Sequence, residues 1–284
     1  LPAPVVSILN MKGGVGKTTV SAHVMRVLYH RMKKKVLLID LDAQFNLTQS
    51  VLTQDEYDTI LNSKKTVLKC FEPSPSSDFF QVKHSDNPPP NSNDISRILR
   101  KFGNGDTARL DMIPGAFDLM KYSMIDDARQ LKYASDYMKR FMSQARQQYD
   151  LIVLDCNPSS SFVTKCALEN STHVISPIKL DKFSILGVGM VDELFTHLNL
   201  NLSHMILIND VKRSNPMSQI ELELRAHPKF GPNILINRLF HSKLLSAEPT
   251  YTGFATDRKG PYSSVLRQEI SRLSQEISDR LGIR

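Results

Sequence analysis

The run Val5-Val6-Ser7-Ile8-Leu9-Asn10, followed by Met11-Lys12-Gly13-Gly14-Val15-Gly16-Lys17-Thr18-Thr19, constrains this chain more than any other stretch. A strand that breaks into glycines and then opens a helix gathers consecutive backbone N–H groups around one point, and that arrangement holds an anion. Gly13, Gly14 and Gly16 are expected to take positive φ there. The spacing fits the phosphate loop G-x-x-x-x-G-K-[ST], although no glycine opens it at Met11 or Lys12. In such a loop Lys17 reaches the β- and γ-phosphates, the Thr18 hydroxyl ligates Mg²⁺ and Thr19 meets the α-phosphate.

The rest of the chain alternates in the way a parallel sheet requires. Val5–Asn10, Val36–Asp40, Leu110–Ile113, Leu151–Asp155, His173–Ser176, Met205–Asn209 and Ile234–Asn237 read as buried strands. Thr18–Met32, Ile125–Gln147, Ser184–Leu198, Gln219–Ala226 and Ser263–Leu281 read as helices. The pattern predicts an α/β fold, a mostly parallel twisted sheet with helices on both faces, in one domain over residues 1–284. Glu72 to Asn93 breaks the rhythm: it is rich in Pro, Ser, Asp and Asn around Pro88-Pro89-Pro90, and reads as a surface loop or insertion. A lid or partner-binding segment is the sharper alternative for it. Leu266, Ile270, Leu273, Ile277 and Leu281 form a stripe that suits packing on the sheet better than lying on a membrane surface.

Several classes fall away. With 41% hydrophobic and 23% charged residues among 284, the chain is neither disordered nor fibrous. No apolar run approaches the ~18 residues of a membrane-spanning helix. Leu1 to Leu9 reads as a first strand, not a signal peptide, with no DNA-reading domain expected ahead of it. Cys70, Cys156 and Cys166 are too few for a disulfide framework, lack metal-ligand spacing, and read as small buried residues suited to a reducing cytoplasm. The formal charge of +7 favours a polyanionic partner. The basic run Arg31 to Lys35 reads as a solvated helix terminus.

Two further strands end in carboxylates. Val36-Leu37-Leu38-Ile39-Asp40-Leu41-Asp42 places Asp40 and Asp42 on one face, where both are expected to point toward the crevice at the strand's carboxyl end. Leu151-Ile152-Val153-Leu154-Asp155 is an apolar strand closed by an acid, placed to support through water a Mg²⁺ held by Thr18.

Lys12 stands too early in the loop to do the work of Lys17. With it, the sequence resembles the deviant Walker A P-loop ATPases, whose motif is KGGxGK[ST] and which include the ParA and Soj partition ATPases, MinD and the nitrogenase iron protein. The resemblance implies that Lys12 reaches across a homodimer interface to the ATP of the other subunit. Asp40-Leu41-Asp42-Ala43-Gln44-Phe45-Asn46 is similar to the family's DxDPQGN, with Ala43 for Pro and Phe45 for Gly. It implies that Asp42 positions the attacking water and that Asp40 lies nearer Mg²⁺. Asp155-Cys156-Asn157-Pro158 is similar to D-x-P-P without its first proline.

Ser176-Pro177-Ile178, then Phe183 and Gly187, resembles a family segment that packs near the dimer face. Asn209 stands where relatives set an Asn against adenine. Asn237 to Gly253, with Ser246-Ala247-Glu248-Pro249 inside it, resembles the partition-type segment that precedes a Lys-Gly pair, here Lys259-Gly260, and the final helix. The resemblance therefore implies a slow, partner-stimulated ATPase that dimerises on ATP and binds non-specific DNA. It would position plasmid, chromosome or other cargo with a ParB-like activator, in the cytoplasm at the nucleoid, without a membrane. Arg213, Arg238, Lys243, Lys259 and Arg267 are the leading DNA-contact candidates, with Lys212, Arg225 and Arg258 beside them. A MinD-like membrane-positioning ATPase and a metabolic P-loop enzyme are the alternatives.

Overall fold

Alternate residues of each central strand are buried on opposite sides, so the sheet needs cover on both. In a computed structural model that describes residues 2–74, 78–103, 107–159, 161–214, 217–246 and 253–283, that cover is present. Eight strands lie in the order β3-β4-β2-β5-β1-β6-β7-β8. They are β1 (Val5–Ile8), β2 (Lys35–Leu41), β3 (Arg97–Lys101), β4 (Arg109–Ile113), β5 (Leu151–Cys156), β6 (His173–Ile178), β7 (Ser203–Val211) and β8 (Leu239–Phe240). All neighbours pair in parallel except β3 with β4.

Leu37, Ile39 and Leu41 of β2 pack with Ile152 and Leu154 of β5 in one core, against helices Ala128–Ala145, Phe162–Glu169 and Ser184–His197. Val36, Leu38, Leu151 and Val153 face the other way, against the phosphate-loop helix and the last helix, Ser263–Leu281. Leu266, Ile270, Leu273, Ile277 and Leu281 all lie in this second core, so the stripe does pack on the sheet. Parity then sets the chemistry: Asp40 and Asp155 belong to the face that meets the phosphate-loop helix, and they sit side by side in the β2–β5 register.

The helix expected over Thr18–Met32 is not uniform. It opens as Lys17–Thr19, widens into a π-helical stretch at Val20–Met25 and closes as Val27–Arg31. At the start of the wide stretch the Ser21 hydroxyl oxygen lies 3.2 Å from the Lys17 carbonyl, against the helical ladder. Ile234–Asn237 is not a strand either. Ile234 makes one isolated bridge to Ile206, and Glu276 of the last helix accepts from the amides of Ile236 (2.6 Å) and Asn237 (2.9 Å). With those donors taken by a carboxylate, pairing resumes only at Leu239. β3 went unread because Arg97-Ile98-Leu99-Arg100-Lys101 is an exposed, bulged edge strand, and its charges discourage further pairing.

The 72–93 stretch is pinned rather than loose where it is described. Glu72 is fully buried and accepts from Lys121 Nζ (2.5 Å), Tyr122 Oη (3.2 Å) and the Lys83 amide (3.0 Å). Farther along, the Tyr133 hydroxyl takes part in bonds with both the amide and the carbonyl of Ser85 (2.8 Å each), strapping the segment to helix Ala128–Ala145. Residues Ala247 to Thr252 of the partition-type segment lie outside the described residues. The three cysteines are free and buried. No helix among the described residues is long and apolar enough to cross a membrane.

His23 lies in the π-helical stretch of the phosphate-loop helix, buried, its Nδ1 accepting from the Ala255 amide (3.1 Å). Burial, with Arg258 and Arg26 nearby, pushes its pKa down to about 3. Between the unfolded value of about 6.5 and that depressed value, the unfolded chain binds a proton that the folded chain refuses. Stability should therefore fall as the pH drops through this window, by at most about 1.4 kcal/mol per pH unit from this one residue. Thermal melts of the wild type and of His23→Asn, which keeps an acceptor, check this: the variant's melting temperature should depend less steeply on pH.

Candidate nucleotide site

The glycines shape the loop unequally. Gly14 (φ 70°) and Gly16 (φ 97°) take left-handed backbone, whereas Gly13 is not among the positive-φ residues, contrary to expectation. Behind the loop, Asn10 accepts from the Lys12 amide (2.9 Å) and donates to the Pro177 carbonyl (2.9 Å), tying the loop to β6. Asn209, at 5% exposure, donates to the Val15 carbonyl (2.7 Å). A Cβ on Gly16 would stand 2.2 Å from the Asn209 amide nitrogen. Asn209 is thus a brace under the loop, and it does not line the cleft.

In front of the loop lies a cleft of about 430 Å³ walled by Gly13, Gly14, Gly16, Lys17, Thr18, Thr19, Asp42, Gln44, Asn46, Asn157 and Pro158. The Thr18 hydroxyl donates to Asp155 Oδ2 (3.0 Å) and the Ser21 hydroxyl to Asp155 Oδ1 (2.7 Å). Burial raises the Asp155 pKa, against the pull of those hydroxyls and of Lys17. Lys17 is also buried; its Nζ donates to the Lys12 carbonyl (3.3 Å), and desolvation lowers its pKa. A buried ammonium and a hydroxyl–carboxylate pair at the mouth of a helix fit a polyphosphate and a divalent ion. No cluster of three or more His, Cys, Asp or Glu side chains that could hold a metal occurs among the described residues.

The two β2 carboxylates part company. Asp42 lines the cleft and accepts through Oδ1 from the Gln44 amide (2.9 Å) and from Asn157 Nδ2 (3.0 Å). Asp40, expected near Mg²⁺, is fully buried and outside the cleft wall. Its Oδ2 accepts from the Thr48 amide (2.9 Å) and hydroxyl (2.7 Å), its Oδ1 from the Asp42 amide (3.2 Å). Burial and the neighbouring Asp155 charge both raise its pKa. Asp40 holds the loop's shape instead of facing the crevice.

Lys12 leaves its own cleft. Its ammonium pairs with Asp181 and stands 5.8 Å from the ring centre of Phe183. Asp181 in turn accepts from the Phe183 amide (2.9 Å). Phe183, Leu186 and Met190 are 51%, 62% and 45% exposed, an apolar stripe beside that lysine.

The basic candidates also divide. Arg213 is bidentate to Glu269 (2.8 and 2.7 Å). Arg238 (3.1 Å) and Arg225 (2.9 Å) share the buried Glu221. Lys243, Lys259 and Arg267 are exposed, with no carboxylate partner among the described residues. The residues sequence reasoning missed are Ser21, Thr48, Asn157 and Asp181. Of these, only Asn157 left a trace, as the amide standing where the family pattern has proline.

Gly16→Ala should force the loop off Asn209 and strain its backbone by on the order of 1–3 kcal/mol. Affinity for a fluorescent ATP analogue is expected to fall about ten-fold or more. Wild-type affinity in that titration would contradict the assigned loop geometry.

Comparison with known proteins agrees with this geometry. Residues 3–208 match the AAA domain family AAA_31. A virulence plasmid ParA family protein of Chlamydia psittaci is 27% identical over 69% of this chain, which spans only 65% of that relative's length. A plasmid partition protein of Borrelia burgdorferi, solved with AMPPNP, shares the fold at a TM-score of 0.65 and 21% identity, over 96% of this chain and 98% of that one. The pNOB8 ParA solved with non-specific DNA shares it at 0.66 and 20%, over 99% of both chains. With a strand-ended phosphate loop, a second lysine ahead of it and a family match over most of its length, the chain belongs to the AAA_31 family of AAA domains, and it is similar to proteins of the ParA family.

Proposed function

We propose that the chain hydrolyses ATP slowly with Mg²⁺, pairs with a second copy while ATP is bound, and binds non-specific DNA in that state to position a plasmid, chromosome or other cargo. One observation carries the reading. The Lys12 ammonium lies outside its own cleft, on an open face beside exposed Phe183, Leu186 and Met190. A second copy seated on that face would cover the apolar stripe and receive Lys12 at its phosphates, as a finger supplied in trans. Bound ATP supplies the phosphoryl bond that is cleaved. Lys17 balances its charge, and Thr18 with Asp155 holds the metal. Asp42, whose Oδ2 has no protein donor among the described residues, orients the water.

Slow turnover follows from the timer role. A rate near a hundredth per second corresponds to a barrier of about 20 kcal/mol. A ParB-like partner would then stimulate hydrolysis and release the DNA. The exposed Lys243, Lys259 and Arg267 are the cations best placed to meet duplex phosphates at the C-terminal side.

DNA co-sedimentation with ATP or ADP, beside size-exclusion chromatography, tests this. ATP should promote both pairing and retention, Lys12→Ala should abolish both, and Asp42→Ala should prolong retention well beyond the wild type. Equal retention under every nucleotide sinks the proposal. ATP-dependent liposome binding with indifference to DNA would place the chain with the membrane-positioning relatives.

A further inference from the structure

At the opposite end of the phosphate-loop helix, a groove of about 600 Å³ runs between that helix, the turn after it, the end of β3 and the last helix. Among the described residues four cations line it, Arg26, Arg31, Lys33 and Arg267, against one carboxylate, Asp257. That carboxylate is already shared: Arg26 Nη2 meets Oδ1 at 2.7 Å and Arg100 Nη2 meets Oδ2 at 3.5 Å. Among the described residues, Arg31 and Arg267 bond only neutral groups. Arg31 donates to Ser271 and to Gln275 (3.1 Å), and Arg267 to the Thr256 carbonyl (2.8 Å). Lys33 has no carboxylate partner among the described residues. Arg26 is 6% exposed, and its Nε has no hydrogen-bond partner among the described residues.

The groove also carries aromatic surface. Phe102 is 42% exposed, and the His30 ring meets it edge-on at 4.6 Å between centroids. The ring of Phe254 stands 4.2 Å from the Arg26 guanidinium and 5.1 Å from that of Arg100, which fixes both cations in place. Uncompensated cations along a concave track with open rings at one wall match the chemistry of an unpaired nucleic-acid strand: phosphates on the cations, an unstacked base on the ring. About 600 Å³ is room for a nucleotide or two. The basic run Arg31 to Lys35, which sequence alone reads as a solvated helix end, supplies part of this wall.

We propose that this groove is a second binding site, separate from the nucleotide cleft, for one strand of single-stranded nucleic acid, held by Arg31, Lys33 and Arg267 with a base against Phe102 and His30. It requires neither ATP nor pairing; Arg267 is common to this groove and to the duplex-contact cations, so Phe102→Ala, which touches no duplex-contact cation, is the variant that separates the two. Fluorescence anisotropy with a labelled oligothymidylate and a duplex of equal length tests it, with and without ATP. Wild type should bind the single strand in either nucleotide state. Arg31→Gln with Arg267→Gln keeps the neutral hydrogen bonds and should weaken that binding at least ten-fold. It should also cut the salt slope by about 1.4, two phosphate contacts at ~0.7 each. Phe102→Ala, at an exposed site, should weaken single-strand binding roughly five-fold or more and leave duplex binding unchanged. ATP-analogue affinity and melting temperature should stay at wild-type values in all of them. Unchanged single-strand affinity in the arginine variant, or no single-strand binding by the wild type, overturns the proposal. So does a loss confined to the duplex.

Discussion

Two buried carboxylates, Asp40 and Asp155, sit in register on adjacent parallel strands, and the candidate nucleotide site is organised by how their charges are managed. Like charges at that spacing in a dry sheet cannot both be held without compensation. Asp155 receives it from the Thr18 and Ser21 hydroxyls and from Lys17, all on the phosphate-loop helix. Asp40 receives Thr48 and the Asp42 amide, and turns away from the cleft. One acid is thereby bound to the helix that meets phosphate, and the other to the loop that carries Asp42. The two segments that frame the cleft are thus tied to neighbouring strands of one sheet.

That loop tolerates a residue its backbone disfavours. Phe45 adopts φ 41°, the left-handed region where relatives of this pattern use glycine. For a residue with a Cβ this costs roughly 1–2 kcal/mol. The ring stacks on Tyr57 with centroids 5.1 Å apart and a 21° interplanar angle, a contact of about 0.5–1.5 kcal/mol beyond its burial. The two magnitudes offset, so the sequence departs from the motif without losing the turn. Gly115 completes the fit: a Cβ there would lie 2.8 Å from Phe45 Cβ and 2.9 Å from Asp40 Cγ. Asn157 compensates similarly, since an amide in place of proline supplies a donor to Asp42.

What could be read beforehand divides along a physical line. Strands β1, β2, β5 and β6, buried on both faces, announce themselves as continuous apolar runs, and helices Gln219–Ala226 and Ser263–Leu281 fall where periodicity puts them. Lys17, Thr18 and Asp155 could be placed because strand, loop and helix leave their side chains little choice of direction. Asp40 could not, because its partner Thr48 is eight residues on and the bond depends on the turn at Phe45. Ile234–Asn237 failed for a similar reason: the competing acceptor, Glu276, lies on the last helix, 40 residues beyond Ile236.

The charge excess shows the same limit in its strongest form. A formal +7 says that cations outnumber carboxylates, but not where. In the folded chain Arg213, Arg225 and Arg238 are matched by Glu269 and Glu221, so a stretch rich in arginine presents much less field than its composition suggests. At the far end of the phosphate-loop helix, one carboxylate answers for several guanidiniums. Charge that has a buried partner holds the fold together; charge left with neutral partners is what a polyanion meets. The basic run Arg31 to Lys35 stands out along the sequence, but only the fold shows that its charge is left largely with neutral partners.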